Sequence, residues 1–128
     1  MLKELCLLDG TSGREDAVRA FIKKEIRDLA DEIRTDALGS LIAFKKGKAR
    51  PKSRVLFDAH MDEVGFIVTG ATDEGFLRFS AVGGINPRVI LGRSVTVGEK
   101  RLTGVIGTKA LHMLTPEERD QAPDPDKL

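Results

Sequence analysis

The sequence predicts an α/β fold that is followed, from close to Gly65, by an antiparallel β module of barrel or sandwich type. Three observations support this prediction. Apolar side chains recur at helical spacing over residues 13–29, residues 55–57 form an unbroken apolar run, and glycines interrupt short β-type runs beyond Gly65. A helix beside a strand that is covered on both faces is typical of an α/β domain, whereas short glycine-bounded runs are typical of antiparallel β domains. We therefore expect two domains, 1–64 and 65–128.

The first long helix is predicted to begin at about Gly13. Ser12 and Glu15 stand three positions apart, as in a capping box, in which the serine side chain binds the backbone of the first turn. Its buried stripe follows at three- and four-residue steps: Val18, Phe21, Ile22, Ile26 and Leu29. A shorter helix is predicted over residues 2–8, with Cys6 turned inward as a small buried side chain.

Strands and turns follow the long helix. Residues 40–44 and 54–57 have strand length and composition, and residues 37–40 supply a tight connection before the first of them. The second of these strands lacks alternation, so we expect it at the centre of a sheet. In the β module, hairpin turns are predicted near residues 72–75 and 98–100.

Charge and composition exclude several classes of function. The 21 basic and 20 acidic side chains nearly cancel, and the six Phe are accompanied by no Trp or Tyr. We therefore expect no nucleic-acid binding, even through the basic run 45–54, and no membrane binding. Since Cys6 is the single cysteine and no apolar window is long enough for a membrane span, a cytoplasmic location is expected. Thr115 and Pro116 resemble a helix start, and so little chain follows them that a fragment is indicated.

The residues that carry chemistry stand at the end of the predicted central strand. Side chains two positions apart share one face of an extended chain, so Asp58, His60 and Asp62 should project together. A neutral imidazole is a ligand for zinc, cobalt or manganese, and a neighbouring carboxylate either binds the metal or holds the ring. From the residues alone, a structural ion pair remains open as the alternative. His112 is interpreted as a partly buried packing residue.

Five segments, in their order and spacing, resemble the amino-terminal third of the cocatalytic-metal aminopeptidases of the glutamyl and deblocking type. The segments are TSGREDAVRAFI, DALGSLIA, DAHMDEVGFIV, VGGINPRVILGRSVTV and GVIGTKALHML. That family includes the tetrahedral aminopeptidases and relatives that carry the name endoglucanase. The resemblance implies a partial three-layer α/β aminopeptidase domain in residues 1–64. It also implies that residues 65–128 form an incomplete β-barrel-like domain that serves dimerisation and assembly.

The resemblance also implies a function, the removal of amino-terminal residues from peptides. It implies two divalent metal ions (zinc, cobalt or manganese), with His60 as a metal ligand and Asp62 as the carboxylate that supports it. Homo-oligomers from dimer to dodecamer are implied as well. The other ligands and the general-base glutamate are expected beyond residue 128, so this chain should be inactive alone. A non-catalytic module for protein contacts and assembly is the alternative. Ser40 departs from the asparagine common in the family, with little expected consequence.

Overall fold

The protein divides into two compact units, Met1–Glu63 and Val64–Leu128. The structure is a computed structural model and describes residues 1–49, 53–107, 112 and 115. The described elements are α1 (Leu2–Leu5), α2 (Asp16–Glu25), β1 (Glu32–Thr35), β2 (Leu41–Phe44), β3 (Gly65–Ala71), β4 (Leu77–Val82), α3 (Pro87–Ile90), β5 (Ser94–Val97) and β6 (Leu102–Val105). Each described strand pairs in antiparallel fashion with its neighbour along the chain, so the fold is assembled from local hairpins.

The long helix α2 starts and ends inside its predicted limits. Glu15, rather than Ser12, occupies the position before its first turn, and no side chain caps that turn. The predicted capping box is therefore wrong, because the Ser12 hydroxyl is hydrogen-bonded to Asp62 instead. Since α2 ends at Glu25, Leu29 leaves the buried stripe and is 67% exposed. The stripe does bury Val18, which is 7% exposed and forms the centre of the first unit.

The first helix is too short to bury the side chains that the sequence predicts on its inner face. It has four residues and ends at Leu5, so Cys6 follows it rather than lying on it. Cys6 is exposed, and Leu2 is 75% exposed. The interpretation of Cys6 as a small buried hydrophobe is therefore wrong.

The turn predicted over residues 37–40 and the strand that follows it, β2, are confirmed. The carboxylate of Asp36 accepts hydrogen bonds from the backbone N–H groups of Leu38 (3.0 Å) and Ser40 (2.8 Å), which close the turn between β1 and β2. These bonds hold the pKa of the Asp36 carboxyl below its usual value, with the bond from Ser40 contributing most. Gly39 adopts a φ of 89°, where a side chain would be strained.

The predicted central strand over residues 54–57 is wrong for the described chain. Residues 54–57 form no strand and pair with no described strand, and Val55, Leu56 and Phe57 are 75%, 87% and 91% exposed. A central strand requires a hydrogen-bonded neighbour on each side and a layer over each face. None of residues 1–49 or 53–107 supplies such a neighbour, so the side chains of this apolar run remain exposed.

The second unit contains two hairpins at the predicted turns. Thr72 and Gly75 close the turn between β3 and β4, and Gly98 accepts the bond that closes the turn between β5 and β6. Across the first hairpin, the rings of Phe66 and Phe79 meet edge to face with centroids 4.9 Å apart. The small antiparallel sheets predicted for this part of the chain are thereby confirmed. Because no ladder joins β4 to β5 among the described residues, the barrel-like arrangement stays a prediction.

A short helix that the sequence analysis missed supplies part of the core of the second unit. Asn86 caps α3 by accepting a hydrogen bond from the Arg88 backbone N–H at 3.0 Å. Ile90, at the end of α3, is 6% exposed, and Ile106, just after β6, is 5% exposed. Apart from Thr115 itself, the helix start predicted at Thr115 and Pro116 lies outside the described residues.

Candidate metal centre

Two segments of the first unit lie side by side and carry the candidate site between them. Thr11 and Glu63 form a parallel β-bridge. The Glu63 backbone N–H donates to the Gly10 carbonyl at 2.8 Å, and the Gly10 N–H donates to Oε1 of Glu63 at 3.3 Å. These contacts join the chain before α2 to the sequence DAHMDE, more than fifty residues later.

Gly10 makes this close approach possible because it has no side chain. A Cβ atom at position 10 would lie 2.8 Å from Cγ2 of Val18 and 3.5 Å from the carbonyl oxygen of Met61. Gly10 is buried in the structure. The packing of Gly10 against Val18 and Met61 therefore allows residues 60–63 to lie close beside residues 10–12.

His60 is held by the carboxylate two residues later, as the sequence predicts for a paired imidazole and carboxylate. Its Nδ1 lies 2.9 Å from Oδ1 of Asp62 and 2.9 Å from the Asp62 backbone oxygen. Both oxygens are acceptors, so a neutral His60 ring carries its proton on Nδ1 and leaves a lone pair on Nε2. The His60 side chain is 84% exposed, and no described residue binds Nε2. Nε2 is therefore free to bind a ligand.

Asp62 is held at both of its carboxylate oxygens. Oδ2 accepts a hydrogen bond from the Ser12 hydroxyl, and Oδ1 accepts from His60. The Ser12 hydroxyl, and after it the His60 ring, hold the pKa of Asp62 below its usual value. Asp62 therefore stays ionised at neutral pH and can accept a hydrogen bond from the Nδ1–H group of His60.

The remaining candidate residues stand apart from this pair. Asp58 is exposed and forms no hydrogen bond or ion pair with His60 or Asp62 among the described residues. The side chain of Glu63 faces the Gly10 backbone, which gives it a structural role. His112 is exposed, so its interpretation as a packing histidine is wrong.

The donor set fits one ligand of a metal ion and no more. An imidazole with a free Nε2 and an Nδ1–H held by a carboxylate is the arrangement that zinc-binding histidines commonly show. Among the described residues, no three or more His, Cys, Asp or Glu side chains converge on a point where they could hold a metal ion. A catalytic zinc requires about three protein ligands. The described residues of the first unit thus offer one candidate ligand, His60, and one carboxylate that holds it, Asp62.

A cleft of about 210 Å³ borders His60. Its lining includes Leu5, Leu8, Val18 and Ile22, together with His60 and Glu63. None of the described helices is both long enough and apolar enough to span a bilayer.

A family profile matches residues 39–128 of the chain, which includes both His60 and Asp62, and the profile is that of the M42 glutamyl aminopeptidases. The chain belongs to the M42 glutamyl aminopeptidase family. This membership confirms the resemblance that the five sequence segments indicate. The match begins after Ser12, so the residue that holds Asp62 lies outside the matched part.

Solved structures of two TET proteins and of one endoglucanase are similar in fold to this chain. A TET aminopeptidase from Thaumarchaeota archaeon SCGC AB-539-E09 is 38% identical, with a TM-score of 0.85 over 98% of this chain and 35% of that one. An endoglucanase from Thermotoga maritima is 47% identical, with a TM-score of 0.77 over 85% of this chain and 34% of that one. The Pyrococcus horikoshii TET1 peptidase is 43% identical, with a TM-score of 0.78 over 98% of this chain and 37% of that one. That peptidase can assemble into a tetrahedron or a large octahedral shell.

The chain spans about a third of the length of the curated relatives that it matches, from 30% to 35% for proteins from Acetivibrio thermocellus and Pyrococcus furiosus. Mixed helices and strands with small antiparallel sheets, as described above, agree with the TET aminopeptidase fold over this part.

Proposed function

We propose that this chain is the amino-terminal part of a metal-dependent aminopeptidase that removes amino-terminal residues from peptides. The observation that carries the proposal is the His60–Asp62 pair, which leaves Nε2 of an exposed imidazole free in a chain of the M42 family. Names of relatives support the reaction, since TET proteins of similar fold are called aminopeptidases.

His60 would act as a metal ligand through Nε2, and Asp62 would hold the ring in the tautomer that exposes the lone pair. Two divalent metal ions, zinc, cobalt or manganese, would activate a water molecule and polarise the scissile carbonyl when bound. The negative charge that Asp62 keeps at neutral pH would make the imidazole a better electron-pair donor to a metal ion.

The 128-residue chain is proposed to be inactive alone. Support comes from the single ligand among the described residues and from the third of a relative's length that the chain spans. Residues 1–64 would belong to the catalytic domain, and residues 65–128 to an incomplete β-barrel-like domain for dimerisation and assembly. A cytoplasmic location remains part of this proposal and is supported by the single cysteine.

A chimera tests the proposed reaction directly. The chain would replace the equivalent third of the TET aminopeptidase to which it is structurally similar, and aminoacyl chromogenic substrates would be offered with Co²⁺ or Zn²⁺. We expect turnover by the chimera, none by the 128-residue chain, and a loss of more than about 100-fold on His60→Ala, beyond the range for residues that only orient ligands. An active chimera that His60→Ala leaves unchanged would refute the proposal.

Assembly is the second candidate function, and exposed apolar side chains of the second unit favour it. Ile67 and Val68 of β3 are 57% and 50% exposed, and Phe76 is 72% exposed. Such residues are common at contacts between subunits. Homo-oligomers from dimer to dodecamer are proposed, as the TET1 peptidase assembles into a tetrahedron or shell. Light scattering of the chimera and of its Ile67→Asp variant tests this, since a contact surface requires the variant to form smaller particles.

A further inference from the structure

We propose that Ser12 is a positioning residue of the candidate metal centre, which fixes Asp62 so that Asp62 presents Nε2 of His60 for binding. This inference rests on the proposed function for the identity of the bound group. The hydrogen bonds themselves join residues of the first unit alone. Ser12 would act through Asp62 and touch neither metal nor substrate.

One carboxylate, that of Asp62, accepts hydrogen bonds from two donors. The Ser12 hydroxyl donates to Oδ2 of Asp62, while Nδ1 of His60 bonds to Oδ1. A carboxylate that is held at one oxygen loses one hydrogen bond when it rotates about its terminal bond, whereas one held at both oxygens loses two and is restrained more strongly. The Asp62 side chain is 38% exposed, so burial alone does not restrain it. Ser12 therefore supplies the restraint.

The backbone, rather than the hydroxyl, places Ser12 opposite Asp62. The neighbouring residue Thr11 is bridged to Glu63, and the Gly10 carbonyl accepts from the Glu63 N–H at 2.8 Å. Gly10 is buried against Val18. Removal of the Ser12 hydroxyl should therefore leave the two segments paired and change only the orientation of Asp62.

Ser12 has no competing structural role among the described residues. It does not cap α2, whose first turn follows Glu15, and the Gly13 N–H is bonded to Oε1 of Glu15 at 2.6 Å. The Ser12 side chain is exposed and so contributes little to packing. Its one hydrogen bond within the described residues is the bond to Asp62.

The tautomer of the His60 ring is the readout that a merely structural serine would not change. Two-bond ¹H–¹⁵N spectra of the 128-residue chain, at about pH 8.5 where histidine is ordinarily neutral, report which ring nitrogen carries the proton. The chain has two histidines, so His112 serves as an internal reference ring. We expect His60 to be protonated at Nδ1 in the wild type. On Ser12→Ala, the Nδ1–H fraction should fall toward that of His112.

Zinc alone, followed through the His60 Nε2 signal, provides the second readout. Ser12→Ala should raise the dissociation constant for Zn²⁺ by up to about 10-fold, the lower end of the range for residues that orient ligands. Ser12→Thr keeps a hydroxyl and should restore the wild-type tautomer and affinity. Ser94→Ala, at an exposed serine of β5, is the matched control and should change neither.

The outcomes separate this proposal from the proposed function. Identical His60 ring signals in the wild type and Ser12→Ala would overturn the positioning role, even if zinc binds. Ring signals of Ser12→Thr that match those of Ser12→Ala would also overturn it, and this comparison holds even if the alanine variant disturbs the segment. The tautomer of His60 could change on Ser12→Ala while zinc leaves the Nε2 signal unchanged. That result would support the positioning of Asp62 by Ser12 and refute the role of His60 as a metal ligand.

Discussion

The hydroxyl of Ser12 donates a hydrogen bond to Oδ2 of Asp62 across a sequence separation of 50 residues. The same carboxylate accepts from His60, so one side chain joins the segment before α2 to the candidate ligand. This arrangement makes the amino-terminal segment part of the candidate site. The packing and the charges that maintain the two units can each be tested by substitution.

Gly10→Ala should destabilise the first unit by about 1–3 kcal/mol, the usual cost of forcing an extra carbon into a packed site. The reason is that the new Cβ would lie 2.8 Å from Cγ2 of Val18, with the Met61 carbonyl on its other side. Urea unfolding measures the change. Gly47→Ala is the control within the same unit, since its Cβ would meet only an ordinary contact at 3.5 Å. Equal stabilities of the two variants would show that Gly10 is not closely packed.

Asp36→Ala should lower the free energy of unfolding at pH 7 and have little effect near pH 2. Bonds from the backbone of Ser40 and Leu38 depress the pKa of Asp36 in the folded state. A depressed carboxyl pKa contributes stability above the unfolded value of about 3.9, and that stability is lost as the pH falls through the folded pKa. Unfolding at both pH values measures this. Asp28→Ala, at an exposed residue whose carboxylate has no hydrogen bond among the described residues, is the control. A loss of stability that is the same at both pH values would contradict the role of the ionised Asp36.

The Phe66–Phe79 pair should contribute a coupling free energy of about 0.5–1.5 kcal/mol to the second unit. The rings meet edge to face at 4.9 Å and an interplanar angle of 73°. A double-mutant cycle with Phe66→Leu and Phe79→Leu measures the coupling by chemical unfolding. Phe76→Leu is the comparison, because Phe76 is 72% exposed. Additive effects of the two leucine substitutions would mean that the rings do not stabilise one another.

Ile106→Ala should cost the second unit about 2–5 kcal/mol, and Ile106→Val about 0.5–1.5 kcal/mol. Ile106 is 5% exposed, and its backbone N–H donates to the Arg93 carbonyl at 3.0 Å, so a shorter side chain would lose buried apolar contacts at a position that the backbone holds in place. Thermal or urea unfolding measures both changes. Leu102→Ala, at a residue that is 62% exposed, should cost clearly less. A similar loss in both alanine variants would show that Ile106 is not part of the core.

The turns and the contact between His60 and Asp62 could be predicted because their signals are local. Gly75 and Gly98 adopt φ values of 87° and 66°, which the hairpin turns require and glycine supplies most readily. His60 and Asp62 are two residues apart, so their pairing follows from spacing. The Asn86–Pro87 start of α3 carried a local signal as well, an amide cap followed by proline, but the many glycines around it concealed a helix of four residues.

The contacts that the sequence analysis missed depend on partners that are distant in the chain. Ser12 and Glu15 satisfy the pattern of a capping box, yet the Ser12 hydroxyl finds a charged acceptor 50 residues later, and a charge-assisted hydrogen bond is stronger than a neutral cap. Residues 55–57 have the composition of a central strand, but composition cannot supply the neighbouring strands, and Phe57 is 91% exposed.

Metal content tests the central claim, that His60 is a ligand of the metal centre, most directly. The chimera with the TET aminopeptidase would be loaded with Zn²⁺, dialysed and assayed for bound metal per chain, with and without His60→Ala. We predict that the substitution removes one bound metal ion while the chimera remains folded. Retention of the full metal content by a folded His60→Ala chimera would contradict the account.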